Sequence, residues 1–448
     1  MKPRTFRSGL GRAAGAMRQR GAATLIVVSL LFFVLSLVAA YANRNLIFEQ
    51  RTSANQLRST LAFETADAGV EWAVAMLNAG RIDATCLPVN DTTATSFRDR
   101  YLDIDASTGV VTPRANLAAG SLPTCVYDGA QWLCSCPVTG APSISGAPTD
   151  IVAPAFRLRF VQNGPTPLRP GTISVEVQAC TRLDDGCLAS TAAGATAGEG
   201  RAKTSVLLAL RSGLPSPPVA TLTARGTVNL TGSTVRINNA IQGKGRSLAV
   251  QAGGALTNAG ALVLSGAAGE LVTASAQVLD TDGSLDPAWV PVAPLYKRPD
   301  HFFGSIFGIQ PDVFRDQPAS LTLVCSVVAC DADRLRTVAA RNPGRFIWAV
   351  GDVNLDGGAP LGSAADPVML VVTGDLTASD IQVNGLIYGR KTDWSFTGTN
   401  TRVLGAVMAE SNLVLSGTVE LTRDADILNV LRWRHGSFVR VPGGWSDY

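Results

Sequence analysis

Ala22–Ala42 reads AATLIVVSLLFFVLSLVAAYA, twenty-one residues without a charge, and the reading of the whole chain turns on it. Twelve of these residues are Leu, Ile, Val or Phe. At about −0.3 to −0.6 kcal/mol each, they favour insertion into a bilayer by roughly −4 to −7 kcal/mol before polar corrections. Asn43 and Arg44 end the apolar run, but no helix breaker follows. Between Ala22 and Asn78 there is no proline, and the only glycine is Gly69. The spacing predicts one continuous helix over 22–78, roughly 85 Å long, with a first part of about 31 Å. That matches the roughly 30 Å hydrocarbon core of a membrane.

Further along, Phe63, Ala66, Val70, Ala73 and Leu77 recur at intervals of three and four, one face of a helix. Glu64, Asp67, Glu71 and Asn78 follow one residue later, about 100° away. The helix is apolar all round first and amphipathic afterwards, as suits a segment embedded at one end and packed on a soluble body at the other.

The 448 residues suffice for two or three domains. A composition 46% apolar and 16% charged belongs to a folded chain. Gly 44 and Pro 24 imply many turns and a β-rich body. Lys2, Arg4, Arg7, Arg12, Arg18 and Arg20 give residues 1–21 a charge of +6, so the rest carries −3 of the overall +3. That excludes the basic domain of a nucleic-acid binder. Beside an apolar span, the same basic residues place the N-terminus in the cytoplasm and the body across the membrane.

All eight cysteines lie on that far side: Cys86, Cys125, Cys134, Cys136, Cys180, Cys187, Cys325 and Cys330. An oxidising compartment makes each a disulfide candidate. Short loops favour Cys180–Cys187 and Cys325–Cys330, while the full connectivity stays open. Zinc is the weaker reading, because Cys134-Ser-Cys136 lacks the usual spacer and neither histidine is near a cysteine.

Residues 79–215 read as a Cys-rich β domain. Ala155–Gln162, Thr172–Ala179 and Thr204–Leu210 alternate apolar and polar residues, as half-buried strands do. Pro215-Ser-Pro-Pro218 is a linker to residues 219–448, where short β runs alternate with Gly, Asn and Asp. Gly226-Thr-Val-Asn-Leu-Thr-Gly232, Gly351-Asp-Val-Asn-Leu-Asp-Gly357, Gly374-Asp-Leu-Thr-Ala378 and Ser411-Asn-Leu-Val-Leu-Ser-Gly417 share one pattern. Gly351 to Gly374 spans 23 residues, a plausible solenoid coil. An antiparallel sandwich fits the same strand spacing. Residues 286–345 read as an insertion holding His301, Phe302, Phe303 and Phe307 and a short helix over 331–340. A second helix over 424–431 would cap the last coil. The expected fold class is α+β, mostly β: a long membrane-spanning helix on a disulfide-braced sheet, then a Gly/Asn/Asp-rich, solenoid-like C-terminal domain.

Arg18-Gln19-Arg20-Gly21-Ala22-Ala23, ahead of an apolar helix, resembles a type IV prepilin leader. Glu49-Gln50-Arg51, Asn55, Arg58, Ala62-Phe63 and Ala66-Asp67-Ala68-Gly69-Val70-Glu71 resemble the PilX-type minor pilins. The resemblance covers about residues 18–78. It implies that prepilin peptidase cuts after Gly21 and methylates Ala22, and that the helix then leaves the inner membrane to pack among major and minor pilins. It also implies an extracellular or periplasm-spanning pilus as the final location. Most pilins carry Glu at the fifth mature position, where this chain has Ile26; PilX-type and related tip-complex pilins share that absence. Asp67 stands where the family commonly has Glu. Met1 and Met17 both offer a start. An ordinary signal peptide, cut after Ala40-Tyr41-Ala42, is the alternative for the N-terminus.

No G-x-S-x-G elbow and no phosphate loop is present, and His301 and His435 are the only histidines, so no enzyme is expected. No cofactor is expected either, apart from two weak calcium candidates. Asp352, Asn354 and Asp356, followed by Gly357, match the first half of an EF-hand loop, but its twelfth position is Ser363. Asp280, Asp282 and Asp286 form the second. Asp, Asn and Gly are equally ordinary turn formers. The expected function is a minor-pilin-like subunit of a type IV pilus or related secretion pseudopilus, at or near the tip and beside a tip adhesin. The alternative is a membrane-anchored surface adhesin or glycan-active solenoid protein.

Overall fold

The computed structural model describes residues 20–447, apart from 116–119, 147, 149–151, 163–168, 183–199, 232–233, 240–247, 267–276, 286–299 and 391–393. The chain divides into two compact units, residues 1–59 and 60–448. One helix, α1 (Arg20–Leu77), runs without a break through the boundary. In the first unit its apolar side chains from Leu25 to Phe48 are exposed all round. The stretch from Ala23 has a mean hydropathy of 2.7 and is the one described helix long and apolar enough to cross a membrane.

In the second unit α1 lies on a six-stranded antiparallel sheet. Its strand order is Gly436–Asp447, Arg201–Ser212, Thr172–Cys180, Ala155–Val161, Thr124–Tyr127 and Trp132–Ser135. The docking face differs from the expected one by a small rotation. Ala62, Thr65, Ala66, Val70, Ala73 and Leu77 are buried, whereas Phe63 is 46% exposed. Small residues let the helix backbone come close to the strands. Gly69 marks the closest approach: a Cβ there would lie 2.7 Å from Val177 Cγ1 and 3.0 Å from the Phe156 ring. Phe97, Tyr101, Phe156, Leu158, Val175, Val177 and Phe438 complete this core.

Strands Leu102–Ile104 and Val111–Pro113 form a small antiparallel pair of their own, and the strands from Leu222 to Arg423 pair in parallel, which an antiparallel sandwich would not do. Ile347 pairs with Leu370, Val368 with Gly385, Gln382 with Arg402, and Thr401 with Val419. The similar segments recognised in the sequence fall in one ladder: Val353 pairs with Leu376, Leu376 with Trp394, Trp394 with Leu413, and Leu413 with Val228. Segment 222–266 therefore stacks on the end of a pile made by segments later in the chain, Val407 pairing with Leu222 and Thr234 with Thr418. Strands Gln382–Gly389 and Thr401–Ala409 bend at Gly385 and Gly405, whose φ angles of 148° and 136° favour glycine. A Cβ on Gly405 would lie 2.0 Å from the Gly385 carbonyl oxygen of the neighbouring strand.

Strand Val368–Val372 is buried on both faces. Val368, Leu370 and Val372 enter the core inside the stack. Met369 and Val371 enter a second core outside it, with Phe303, Phe307, Phe314, Trp348 and Tyr388. Helix Ala425–Arg434 lies on that outer side through Ile427, Leu428 and Leu431, rather than over the end of the stack as expected. Helix Ala332–Arg341 is the one that packs against the inner core, through Ala332 and Leu335. Residues 286–345 are also less of an insertion than expected, because strand Ser320–Asp331 pairs in register with Phe346–Asp356. The boundary drawn at Pro218 is crossed in turn: strand Gly436–Asp447 returns to the first sheet.

Gly69→Val should lower stability by about 1–3 kcal/mol, the usual penalty for overpacking. The midpoint of urea unfolding of the detergent-solubilised chain measures it. An unchanged midpoint would contradict the close helix–sheet approach.

Candidate functional site

Two features could carry function: the exposed half of α1, and the junction where its other end meets both sheets. Along the exposed half the first acidic residue is Glu49. Ile26 points to solvent with the leucines, valines and phenylalanines around it. Such a surface suits lipid tails or the apolar faces of other helices. Gly21 and Ala22, the expected processing site, fall in the first turn of α1, and the leader before Arg20 lies outside the described residues.

The junction is built on a short helix, Phe97–Tyr101. Ser96 caps it: its Oγ accepts from Asp99 N at 3.2 Å and donates to Asp99 Oδ2 at 2.6 Å. The cap fixes the helix so that Arg98 and Arg100 both point inward. Arg98 Nε donates to the Leu77 carbonyl at 2.9 Å, at the end of α1. Its Nη1 reaches the carbonyls of Arg434 at 3.0 Å and Gly344 at 3.3 Å, and Nη2 that of Gly436 at 2.9 Å. The guanidinium also lies 5.2 Å from the centre of the Phe438 ring. Burial lowers its pKa to about 10, so it keeps its charge at neutral pH. A cation at the C-terminal end of a helix is favourable, since the last carbonyls there lack partners.

Asn78, expected on the polar face of α1, is buried beside it. Its Nδ2 donates to the carbonyls of Val74 at 2.8 Å and Phe438 at 2.9 Å, and its Oδ1 accepts from Phe438 N at 2.8 Å. Arg100 ties the following loop through the carbonyls of Ile82 at 2.7 Å, Asp83 at 2.8 Å and Cys136 at 2.7 Å. No sequence motif announced these roles. A charged residue destined for burial has the same letter as one on the surface, and the only local signal was the Ser96–Asp99 cap.

The disulfides are Cys86–Cys136, Cys125–Cys134 and Cys325–Cys330. Cys180 is disulfide-bonded as well, while Cys187 lies outside the described residues. The first two brace the loop and edge strands of the helix-bearing sheet. The calcium candidates take another form. Asp352, Asn354 and Asp356 lie in strand Phe346–Asp356 and alternate on its exposed face, so the spacing that suggested a loop is that of an extended chain. Asp352 Oδ1 accepts from Asp375 N at 2.9 Å, and Asn354 Oδ1 from Thr377 Oγ1 at 2.9 Å, both in the neighbouring parallel segment. Asp282 Oδ2 accepts from Gln251 Nε2 at 2.8 Å and its Oδ1 from Ser284 N at 3.0 Å; Asp280 Oδ2 lies 3.4 Å from Leu256 N. Asp286 lies outside the described residues. Among the described residues, no group of three or more His, Cys, Asp or Glu is placed to hold a metal ion.

With this geometry in hand, comparison with known proteins is informative at the N-terminus. Residues 20–71 match the family model described as PilX N-terminal. The long helix is of the PilX type. That match covers both the exposed half of α1 and most of the docked half. No curated protein matches the chain. Among solved structures, the competence-associated pilin ComZ from Thermus thermophilus is 11% identical, over 87% of this chain and 98% of its own, with a TM-score of 0.24. A likeness that slight carries no argument about the fold of this chain.

His435 is buried against this junction. Burial, with the Arg98 charge beside it, pushes its pKa down to about 4. An unfolded histidine titrates near about 6.5. Between these values the unfolded chain binds a proton that the folded chain does not, so stability rises with pH. The contribution is complete above about pH 6.5 and is lost as pH falls toward 4, by up to about 3 kcal/mol. Unfolding midpoints measured across this window should fall more steeply for the wild type than for His435→Gln. Parallel curves would contradict the assignment.

Proposed function

We propose that the chain is a minor-pilin-like subunit of a type IV pilus or related secretion pseudopilus, structural rather than catalytic, and acts at or near the tip. The observation that carries this is the division of α1, whose residues 20–71 match the PilX model. Its first half is apolar on every side and, among the described residues, covered by nothing in its own unit, while its other half is docked through small residues. A helix of this kind sits in the inner membrane with its N-terminus cytoplasmic, then exchanges lipid for the helices of other pilins. The exchange needs little driving force, because lipid tails and apolar helix faces are similar surroundings.

In this reading prepilin peptidase cuts between Gly21 and Ala22 and methylates the new N-terminus. Ile26 supports a tip position. An apolar residue there supplies no carboxylate to pair with a neighbour's terminal ammonium, and a subunit with few neighbours has least need of one. The parallel stack, read as a solenoid-like domain over most of residues 219–448, supports it too. A body of that size is hard to repeat along a fibre but free to extend from its end, where it would face a tip adhesin or a surface.

Two measurements test the reading. Mass spectrometry of the mature N-terminus should find methylated Ala22; a chain starting at Asn43 would mean signal peptidase and overturn it. Immunogold labelling should find a few copies at fibre ends. Label spaced evenly along the fibre would rule out the tip position while leaving the pilin assignment intact.

A further inference from the structure

Strand Gly436–Asp447 follows the parallel stack in the sequence yet belongs to the sheet under α1. Its contacts with the helix are of three kinds. Phe438 is fully buried in the core that holds Ala66, Val70, Ala73 and Leu77. Its backbone N–H and carbonyl are both taken by Asn78, in the manner of a strand neighbour. Arg440 Nη2 lies 3.3 Å from Asp67 and 3.0 Å from Glu71, on the helix's outer side.

Two neighbours position this strand: Arg201–Ser212, with which it pairs, and the stack. The preceding helix, Ala425–Arg434, is seated on the stack's outer core by Ile427, Leu428 and Leu431. Ser212 Oγ, at the end of the neighbouring strand, donates to the Arg432 carbonyl of that helix. Arg98 then reads both sides at once. Two of its carbonyl partners, Arg434 and Gly436, flank the start of the strand, and a third, Gly344, precedes stack strand Phe346–Asp356. Without a folded stack, the strand would keep only its pairing with Arg201–Ser212, and these carbonyls would not be gathered around Arg98. Leu77 and Asn78 would then lose their partners, and buried polar groups left unpaired are expensive.

We propose that strand Gly436–Asp447 is a latch, which secures α1 on its sheet only once the parallel stack has folded. The latch does not depend on the pilin reading and holds for any use of the helix. It couples two regions far apart in the sequence: loosening the stack releases the docked half of α1, and exposes its apolar face together with Phe156 and Val177.

Amide hydrogen exchange on the full chain in detergent micelles tests this with two mild variants. Asn78→Ala removes the pairing with Phe438 and leaves the stack untouched. Exchange over 60–77 and 436–441 should accelerate together by about tenfold or more, while 346–423 stays within about twofold of wild type. Leu376→Val trims a buried stack residue remote from the helix and should accelerate exchange in the stack and over 60–77 alike. Wild-type protection over 60–77 in either variant would overturn the proposal, since the helix would then be held by strands Ala155–Val161 and Thr172–Cys180 alone.

Discussion

A single buried guanidinium is the constraint on which the second unit depends. Arg98 has no carboxylate among its hydrogen-bond partners; its charge is solvated by backbone carbonyl dipoles from four separate places in the chain, Leu77, Gly344, Arg434 and Gly436. Charge-assisted hydrogen bonds are stronger than neutral ones, and the planar fork of arginine fixes their directions. The charge therefore does more than offset its own desolvation. It locks the end of α1, the entry to the parallel stack and the return to the first sheet in one geometry, and a lysine, with one compact charged head, has no equivalent fork.

That lock gives the long helix two different halves. From Leu25 to Phe48 the described residues of its own unit leave the helix uncovered, a surface suited to lipid tails or to other apolar helices. From Ala62 to Leu77 it is covered on one side, and Gly69 and the alanines bring it against the strands. A partner exerting force on the first half would act on the body through the second, whose terminal contacts are Asn78 and Arg98. The Cys86–Cys136 disulfide holds the loop on which Arg100 acts, and Cys125–Cys134 ties together two neighbouring strands of the sheet. The same region is thus fixed covalently and by charge.

Much of this was legible in the sequence, for identifiable reasons. An uncharged run without proline yields a helix whatever surrounds it, and the PilX-type segments lie in that helix. The segments at Gly226, Gly351, Gly374 and Ser411 looked alike because they occupy one ladder, where each presents two apolar residues at alternate positions to the same core. What could not be read were relations made only by folding back. Nothing local to residues 436–447 points to a sheet begun three hundred residues earlier. The helix assignments at 331–340 and 424–431 were sound, but which of them meets the inner core depends on how the coils stack. Asp352, Asn354 and Asp356 misled for a simpler reason: alternate positions along a strand share their spacing with the early ligands of a calcium loop.

The central claim is that the helix-bearing sheet and the parallel stack are joined into one cooperative unit through Arg98 and its carbonyls. Differential scanning calorimetry of the detergent-solubilised full chain tests it most directly. The account expects a single unfolding transition for the wild type, with calorimetric and van't Hoff enthalpies in agreement for the soluble body. In Arg98→Met that transition should split or move to lower temperature. Two well-separated transitions in the wild type, one for each sheet, would contradict it.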